Sequence, residues 1–300
     1  MIVERIIQTY KEEVEDFSQN IFRASLAGKC PRRLGFQRLG VAGHPQIRAY
    51  LTFELGDAIH KILRDRIRLA FVNGLLPEFK MIEFEDEVEP DKWEVVINFD
   101  GFTITGHPDG RYEKVDGTKG LIEFKSMSNF AFKRALKGEI DYDYLVQAGL
   151  YIAGSGYNIG EFTWILYRKE TSHLLELRIS PFIDQMKIME REDQHFILME
   201  KPFDIKLHPI IEKYKKILLL ETLQDVINAF PTAVNPGVCH NCQGTGQKEY
   251  GRCRVCKGRG LLDPPFEIGY PCNYCPYWNI CFPNAVLEFE EGKPKLIIGG

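Results

Sequence analysis

The stretch "GHPDGRYEKVDGTKGLIEFKS", residues 106–126, decides how the rest of the chain is read. It places Asp109 in a His-Pro-Asp-Gly turn and, fourteen positions later, Glu123 two residues before Lys125 inside a short apolar run. "LIEFKS" reads as a strand, and side chains alternate along a strand, so Glu123 and Lys125 share one face. Asp109, from the end of a preceding strand, can converge on that face. Carboxylate oxygens hold a hard Mg²⁺ or Mn²⁺, and a lysine beside them orients or polarises water; phosphodiester hydrolysis needs both. Taken alone, such a spacing arises by chance in many proteins, as a turn residue and the wet face of an edge strand. Its meaning depends on its surroundings.

Working outward, residues 1–27 predict a helix, "CPRRLGFQRLG" from Cys30 a short helix or turn, and 46–73 a longer helix stopped by Gly74. Strand-like alternation covers 79–89, 93–99 and 102–107. Ser128 is placed to cap a helix through Leu136, and 141–155 predict another, ended by Gly154 and Gly156. "EFTWILYRK" and "HLLELRIS" read as a hairpin, and the pattern after Pro181 is helical to about Phe230. "FPTAVNPG" then marks a boundary. The expected fold class is α/β: a central mixed sheet flanked by helices, followed by a cysteine-rich metal-binding region. The expected division is a core with its N-terminal helical region at 1–230, a knuckle insertion at 231–265 and a metal clamp with the tail at 266–300.

A chain of 300 residues can bury a large core, and a net charge of −4 gives no whole-molecule attraction for nucleic acid. DNA binding would therefore need a local basic groove and metal ions. "MIVERIIQTYKEEVEDF" lacks the features of a signal peptide, and no apolar run is long enough to span a bilayer, so an intracellular, cytoplasmic protein without a membrane partner is expected. In that compartment paired cysteines point to metal rather than disulfides. Seven of the eight cysteines lie between 239 and 281.

Cys239, Cys242, Cys253 and Cys256 form two Cys-x-x-Cys-x-Gly-x-Gly repeats, "CHNCQGTG" and "CRVCKGRG". Two such knuckles supply four thiolates for a closed, structural Zn²⁺ site. They resemble the zinc repeat of the DnaJ-type co-chaperones. Arg252, Arg254, Lys257 and Arg259 make the knuckle basic, suited to a DNA strand, a protein partner or plain solvation. Cys272, Cys275 and Cys281 leave one ligand missing, and Cys30 is the remaining thiol; His240 or His44 are the alternatives. Ligand count does not choose between an iron–sulfur cubane and zinc.

With "PDG" at 108–110 and "EFK" at 123–125, the opening stretch resembles the PD-(D/E)XK nuclease superfamily. His60 in "LGDAIHKIL", "QAGLY" at 147–151, Cys30 followed by "PRR", and the closing Cys-x2-Cys-x5-Cys resemble its RecB-like branch, the CRISPR-associated iron–sulfur exonucleases and AddB-type nucleases. The resemblance implies a restriction-endonuclease-like core. Asp109, Glu123, His60 and the backbone carbonyl of Phe124 would ligate the divalent ion, and Lys125 would assist water attack. Gln147 and Tyr151 would support the site or contact DNA. A [4Fe-4S] cluster on Cys30, Cys272, Cys275 and Cys281 would clamp the chain ends. The zinc knuckle is a departure from that pattern.

The expected activity is a metal-dependent exonuclease on single-stranded DNA ends in processing, recombination or repair, with a helicase or recombinase as a possible partner class. The alternative is a nuclease-fold module that binds DNA or protein through its knuckle with little or no cleavage. A zinc co-chaperone fragment would explain the knuckle and leave the acids unexplained.

Overall fold

The computed structural model describes residues 21–41, 43, 47–87, 93–155, 159–180, 188–190, 196–202, 205–232, 245, 247–248, 251–252, 266–268, 272–290 and 293–298. It divides into two compact units. One comprises the described parts of 18–29 and 51–216; the other comprises those of 30–50 and 217–300.

The first unit is a mixed α/β fold around a seven-stranded sheet. In chain order its elements are β1 (Ile21–Arg23), then helix α2 (Ile47–Val72, which begins in the other unit), β2 (Phe79–Phe84), β3 (Val95–Phe99) and β4 (Phe102–Gly106). They continue with β5 (Gly110–Lys114), β6 (Lys119–Met127), α3 (Asn129–Ala135), α4 (Tyr142–Gly154), β7 (Glu161–Arg168) and β8 (Leu174–Ser180). β9 (Ile188–Glu190), β10 (Phe196–Pro202) and α5 (His208–Leu218) complete the run. The large sheet has the order β2-β5-β6-β7-β8-β10-β9, and β1-β4-β3 form a smaller one.

β6 and β7 pair in parallel, with α3 and α4 in the crossover; β5–β6 and β7–β8 are antiparallel. β7 is buried along both faces, with Phe162, Thr163, Trp164 and Leu166 all inaccessible, as a central strand between helices should be. α2 presents Ile59, Leu63 and Ile67 at four-residue spacing to Phe84, Tyr112, Ile122 and Phe124 of the sheet. It stops at the predicted glycine, where Gly74 has φ +68°. Ser128 caps α3 as predicted, its hydroxyl accepting from the Ala131 N–H at 3.3 Å.

The structure departs from the sequence reading at four places. Residues 21–26 form β1 and a 3₁₀ turn instead of the end of a helix, with Phe22 packed against Phe102 and Tyr214. "GRYEK" is a full strand, although its alternation is too short and charged to announce one. It is held by Tyr112, whose hydroxyl donates to Glu161 Oε2 at 2.8 Å, and by Lys114 Nζ on the same carboxylate at 2.6 Å. Strand β2 gives way at Glu85 to a 3₁₀ turn. After Pro181 the chain builds β9 and β10 before returning to helix, with β10 parallel to β8. Short apolar runs such as "FILME" are ambiguous by periodicity, and the open backbone edge of β8 favours the strand.

In the second unit, α1 (Pro31–Arg38) and α6 (Leu223–Ala229) pack together. Arg32 joins them, with Nε donating to Phe230 O at 2.7 Å and a second nitrogen to Ile227 O at 2.9 Å. Arg38 donates to Leu220 O at 2.6 Å. The basic run "RRLGFQR" thus spends Arg32 and Arg38 on helix-end carbonyls. The short hairpin β11 (Gln247–Lys248) and β12 (Gly251–Arg252) is followed by β13 (Phe266–Ile268). β14 (Ala285–Glu290) and β15 (Lys293–Ile298) join β13 in a three-stranded sheet in the order β13-β15-β14, over a core of Ile268, Cys272, Phe282 and Leu296. Among the described residues no helix is long and apolar enough to cross a membrane.

Candidate active site

His60, Asp109, Glu123, Lys125, Gln147 and Tyr151 belong to the sheet unit, and the structure brings all six into one hydrogen-bonded cluster. β6 is its centre. Phe124 points to the α2 side, its ring 5.5 Å from His60 and stacked on Phe84, so Glu123 and Lys125 point to the other side. There Lys125 Nζ lies 2.6 Å from Glu123 Oε1 and 5.2 Å from the Tyr144 ring. Gln147, from α4, donates through Nε2 to Glu123 Oε1 at 2.9 Å and to the Tyr151 hydroxyl at 3.1 Å. Asp109 bridges the two sides at the end of β5. Its Oδ2 accepts from the Phe124 N–H at 2.7 Å, and its Oδ1 lies 3.1 Å from His60 Nδ1.

Glu123 is 4% exposed, and its second oxygen, Oε2, is buried without a hydrogen-bond partner among the described residues. Burial pushes its carboxyl up to about 7, with Asp109 adding to the rise and Lys125 opposing it. Burial works against the Lys125 ammonium, but the Glu123 carboxylate overrides it and the lysine is raised. Burial and the charge of Glu123 also hold the Tyr151 phenol well above its ordinary value, so it stays a donor.

That donor anchors the turn that the sequence singled out. The Tyr151 hydroxyl donates to His107 O at 3.1 Å, the Trp93 indole Nε1 to Pro108 O at 2.6 Å, and the Glu85 N–H to Asp109 O at 3.3 Å. Three consecutive carbonyls are held from three directions, which fixes where the Asp109 carboxylate points. Gly106 leaves room for this, since a Cβ there would lie 2.6 Å from Tyr151 Cε1. Trp93 is buried beneath the Arg111 guanidinium, 4.7 Å away, and Arg111 is paired with Glu83 at 2.7 Å. Sequence reasoning missed Trp93, because a tryptophan in "DKWEVV" reads as core. His107 lies 3.0 Å from Glu85 and 3.6 Å from Glu94. Trp93→Phe removes one buried hydrogen bond while keeping most of the apolar volume. Its expected cost is about 2 kcal/mol of stability in urea unfolding.

The basic run "ILRDRIR" is occupied internally as well: Arg68 pairs with Glu87 at 2.7 Å and Asp65 at 3.1 Å, and also with Asp86.

In the other unit Cys30, Cys272, Cys275 and Cys281 take part in no disulfide. Cys30 is the N-cap residue of α1, Cys272 opens a 3₁₀ turn through Tyr274, and Cys281 ends α7 (Trp278–Cys281). Cys30, Cys275 and Cys281 are near enough to feel one another's charge. Cys272 is buried, and its carbonyl accepts from the Cys275 N–H at 3.1 Å. Burial raises the Cys275 and Cys281 thiols, against the lowering effect of Arg33 on the first and Arg32 on the second. The knuckle cysteines Cys239, Cys242, Cys253 and Cys256, and the alternatives His44 and His240, lie outside the described residues. Among the described residues no three His, Cys, Asp or Glu side chains are grouped as an ion would need. At the acid cluster Glu123 Oε1 is taken by Lys125 and Gln147 and the Asp109 oxygens by His60 and the Phe124 N–H, while Glu123 Oε2 has no partner among the described residues.

No family model matches this chain, and no curated protein does. Among solved structures it is similar to one titled "Crystal structure of SSO0001", with 16% identity and a TM-score of 0.40. The match covers 74% of this chain and 85% of that one. A likeness at that level carries no argument about fold or activity.

Proposed function

We propose that this protein is a divalent-metal-dependent deoxyribonuclease of the RecB-like PD-(D/E)XK type, acting on single-stranded DNA ends. The observation that carries the reading is Glu123: a buried carboxylate with one oxygen held by Lys125 and Gln147 and the other without a partner, beside an Asp109 fixed by a backbone N–H and His60. A buried carboxylate oxygen left unpaired costs stability, and a fold tolerates such a group where function requires it.

The donor types suit a hard divalent cation, two carboxylates and an imidazole with one carboxylate oxygen still to be satisfied, although the three are not gathered round one point in this structure. Asp109, Glu123 and His60 would hold Mg²⁺ or Mn²⁺, with the Phe124 carbonyl as the family resemblance adds. When bound, the ion neutralises phosphate charge and lowers the pKa of water. The chain's own residues supply the rest. Gln147 keeps the Glu123 carboxylate in its rotamer, and the three-carbonyl clamp keeps Asp109 aimed. Lys125 carries its ammonium on the Glu123 face, where it can orient a water or meet a phosphate oxygen.

In number and residue type Cys30, Cys272, Cys275 and Cys281 suit a four-thiolate centre, read as a [4Fe-4S] clamp, and the knuckle suits Zn²⁺. Chain purified anaerobically is expected to carry about four iron atoms, and Cys30→Ser to lose them together with the brown absorbance. Two zinc ions and no iron would make both quartets zinc sites. The activity test is digestion of end-labelled oligonucleotides, single- and double-stranded, at both polarities, with Mn²⁺ or Mg²⁺ against EDTA. Metal-dependent loss of single strands is expected; binding without cleavage under every metal would sink the reading.

A further inference from the structure

Where β6 ends, the chain turns directly into α3, and the turn between β7 and β8 lies alongside. The Lys169 N–H donates to Met127 O at 3.1 Å, and the Asn129 N–H to Glu170 Oε1 at 3.0 Å. Met127 and its cross-strand partner Arg168 lie one row beyond Lys125 on the same face of the sheet, about 7 Å further along the strand. α3 packs on the ends of β6 and β7 through buried Phe132 and Ala135. Its other side carries Phe130, 74% exposed, with Lys133 exposed one turn on. Residues three apart on a helix are neighbours, so this ring and this ammonium form a pair. Arg168 Nε is buried without a hydrogen-bond partner among the described residues. Lys169 is half-buried, and burial lowers its pKa.

A bare aromatic ring five residues past Lys125, three residues from Lys133 and next in sequence to the residue that bonds the Arg168–Glu170 turn, is poorly explained as core. It is also one side chain wide, far below the area of a stable protein interface. Glu170, the acid of this turn, accepts from the Asn129 N–H and keeps its charge, so Lys133, Arg168 and Lys169 outnumber it. An aromatic platform beside a cationic track is how proteins hold unpaired nucleic acid without reading its sequence.

We propose that Phe130, Lys133 and Lys169, with Arg168, form a ledge that carries single-stranded DNA beside the acid cluster: Phe130 stacks on a base and the cations contact flanking phosphates. This rests on the nuclease reading. It adds where the strand runs, and why unpaired ends are preferred over duplex.

The test is anisotropy of labelled oligothymidylate with the full chain in EDTA, so that cleavage plays no part. Phe130→Ala is expected to weaken binding roughly 5- to 100-fold, and Phe130→Trp to keep it. Lys133→Ala with Lys169→Ala should flatten the dependence of log affinity on log salt by about 0.7 for each phosphate left without its lysine. Blunt duplex of the same length offers no face to stack on, so its binding should not respond to Phe130→Ala. Because Phe130 is exposed, the variant should melt with wild type. Equal oligothymidylate binding by wild type and Phe130→Ala overturns the ledge, as does an equal loss on duplex. If wild type still digests single strands in that case, the nuclease reading survives alone. A wild type that neither binds nor cleaves DNA removes both.

Discussion

Lys125→Ala is expected to lower the rate of single-strand cleavage by about 10³-fold at saturating Mn²⁺, with Lys125→Arg recovering little of it. The ammonium sits 2.6 Å from Glu123 Oε1, close to where the attacking water and the scissile phosphate would lie. Removing one pre-positioned charge or proton-transfer group from an active site typically costs 10²- to 10⁴-fold. Arginine keeps the charge but spreads it over a planar fork, so it does not put a single ammonium at the position Lys125 Nζ holds. The two variants should separate in stability. Alanine leaves Glu123 buried without its cation, a loss of about 3–5 kcal/mol for a buried pair. Arginine retains a partner and should melt close to wild type. A rate loss in folded Lys125→Arg therefore cannot be assigned to unfolding. If Lys125→Ala digests as well as wild type, the proposed role of the site fails.

How legible was this site in the sequence? Glu123 and Lys125 were readable because strand periodicity puts positions two apart on one face, and the run "LIEFKS" is long enough to show it. His60 and Gln147 fall on helices that apolar spacing predicts, and the family resemblance is what singled them out as site residues. What stayed hidden was the support. Trp93 reaches Pro108 O across fifteen residues, and Glu85 reaches Asp109 O across twenty-four; neither contact leaves a periodic trace. β5 was hidden for a related reason. "GRYEK" has a polar alternation that only tertiary partners make stable, here Glu161 against Tyr112 and Lys114. The segment after Pro181 shows the reverse error, in which charged residues mixed with apolar ones suggested helix while pairing with β8 decided for strand. Composition alone does not say whether a guanidinium of an arginine-rich run faces water, a carboxylate or the end of a helix; here Arg32 and Arg38 meet helix-end carbonyls and Arg68 meets carboxylates.

Glu123→Gln is expected to flatten the pH dependence of stability measured without divalent cations, and to abolish the stabilisation that Mg²⁺ or Mn²⁺ gives wild type. The Glu123 carboxyl is raised in the folded state from 4.5 to about 7, chiefly by burial. An acid raised on folding binds more protons folded than unfolded. Its contribution is therefore fully present below about pH 4.5 and is lost as pH rises through about 7. At 1.36 kcal/mol per unit, wild type should lose at most about 3 kcal/mol across that window. Lys125 is raised as well, but for a base the stabilisation is present at every pH below its unfolded value of 10.5, so it does not enter this window. Glutamine keeps an oxygen for Lys125 and carries no charge to desolvate. Its profile should be the flatter of the two between pH 5 and 8, at a lower stability throughout, because the buried Lys125 ammonium loses its counterion. Urea unfolding at pH 5 and pH 8, with and without saturating Mg²⁺, reads out all four states. Parallel profiles for the two proteins would mean that the Glu123 carboxylate is already satisfied in the fold, and the case for a cation between Glu123 and Asp109 would fall with it.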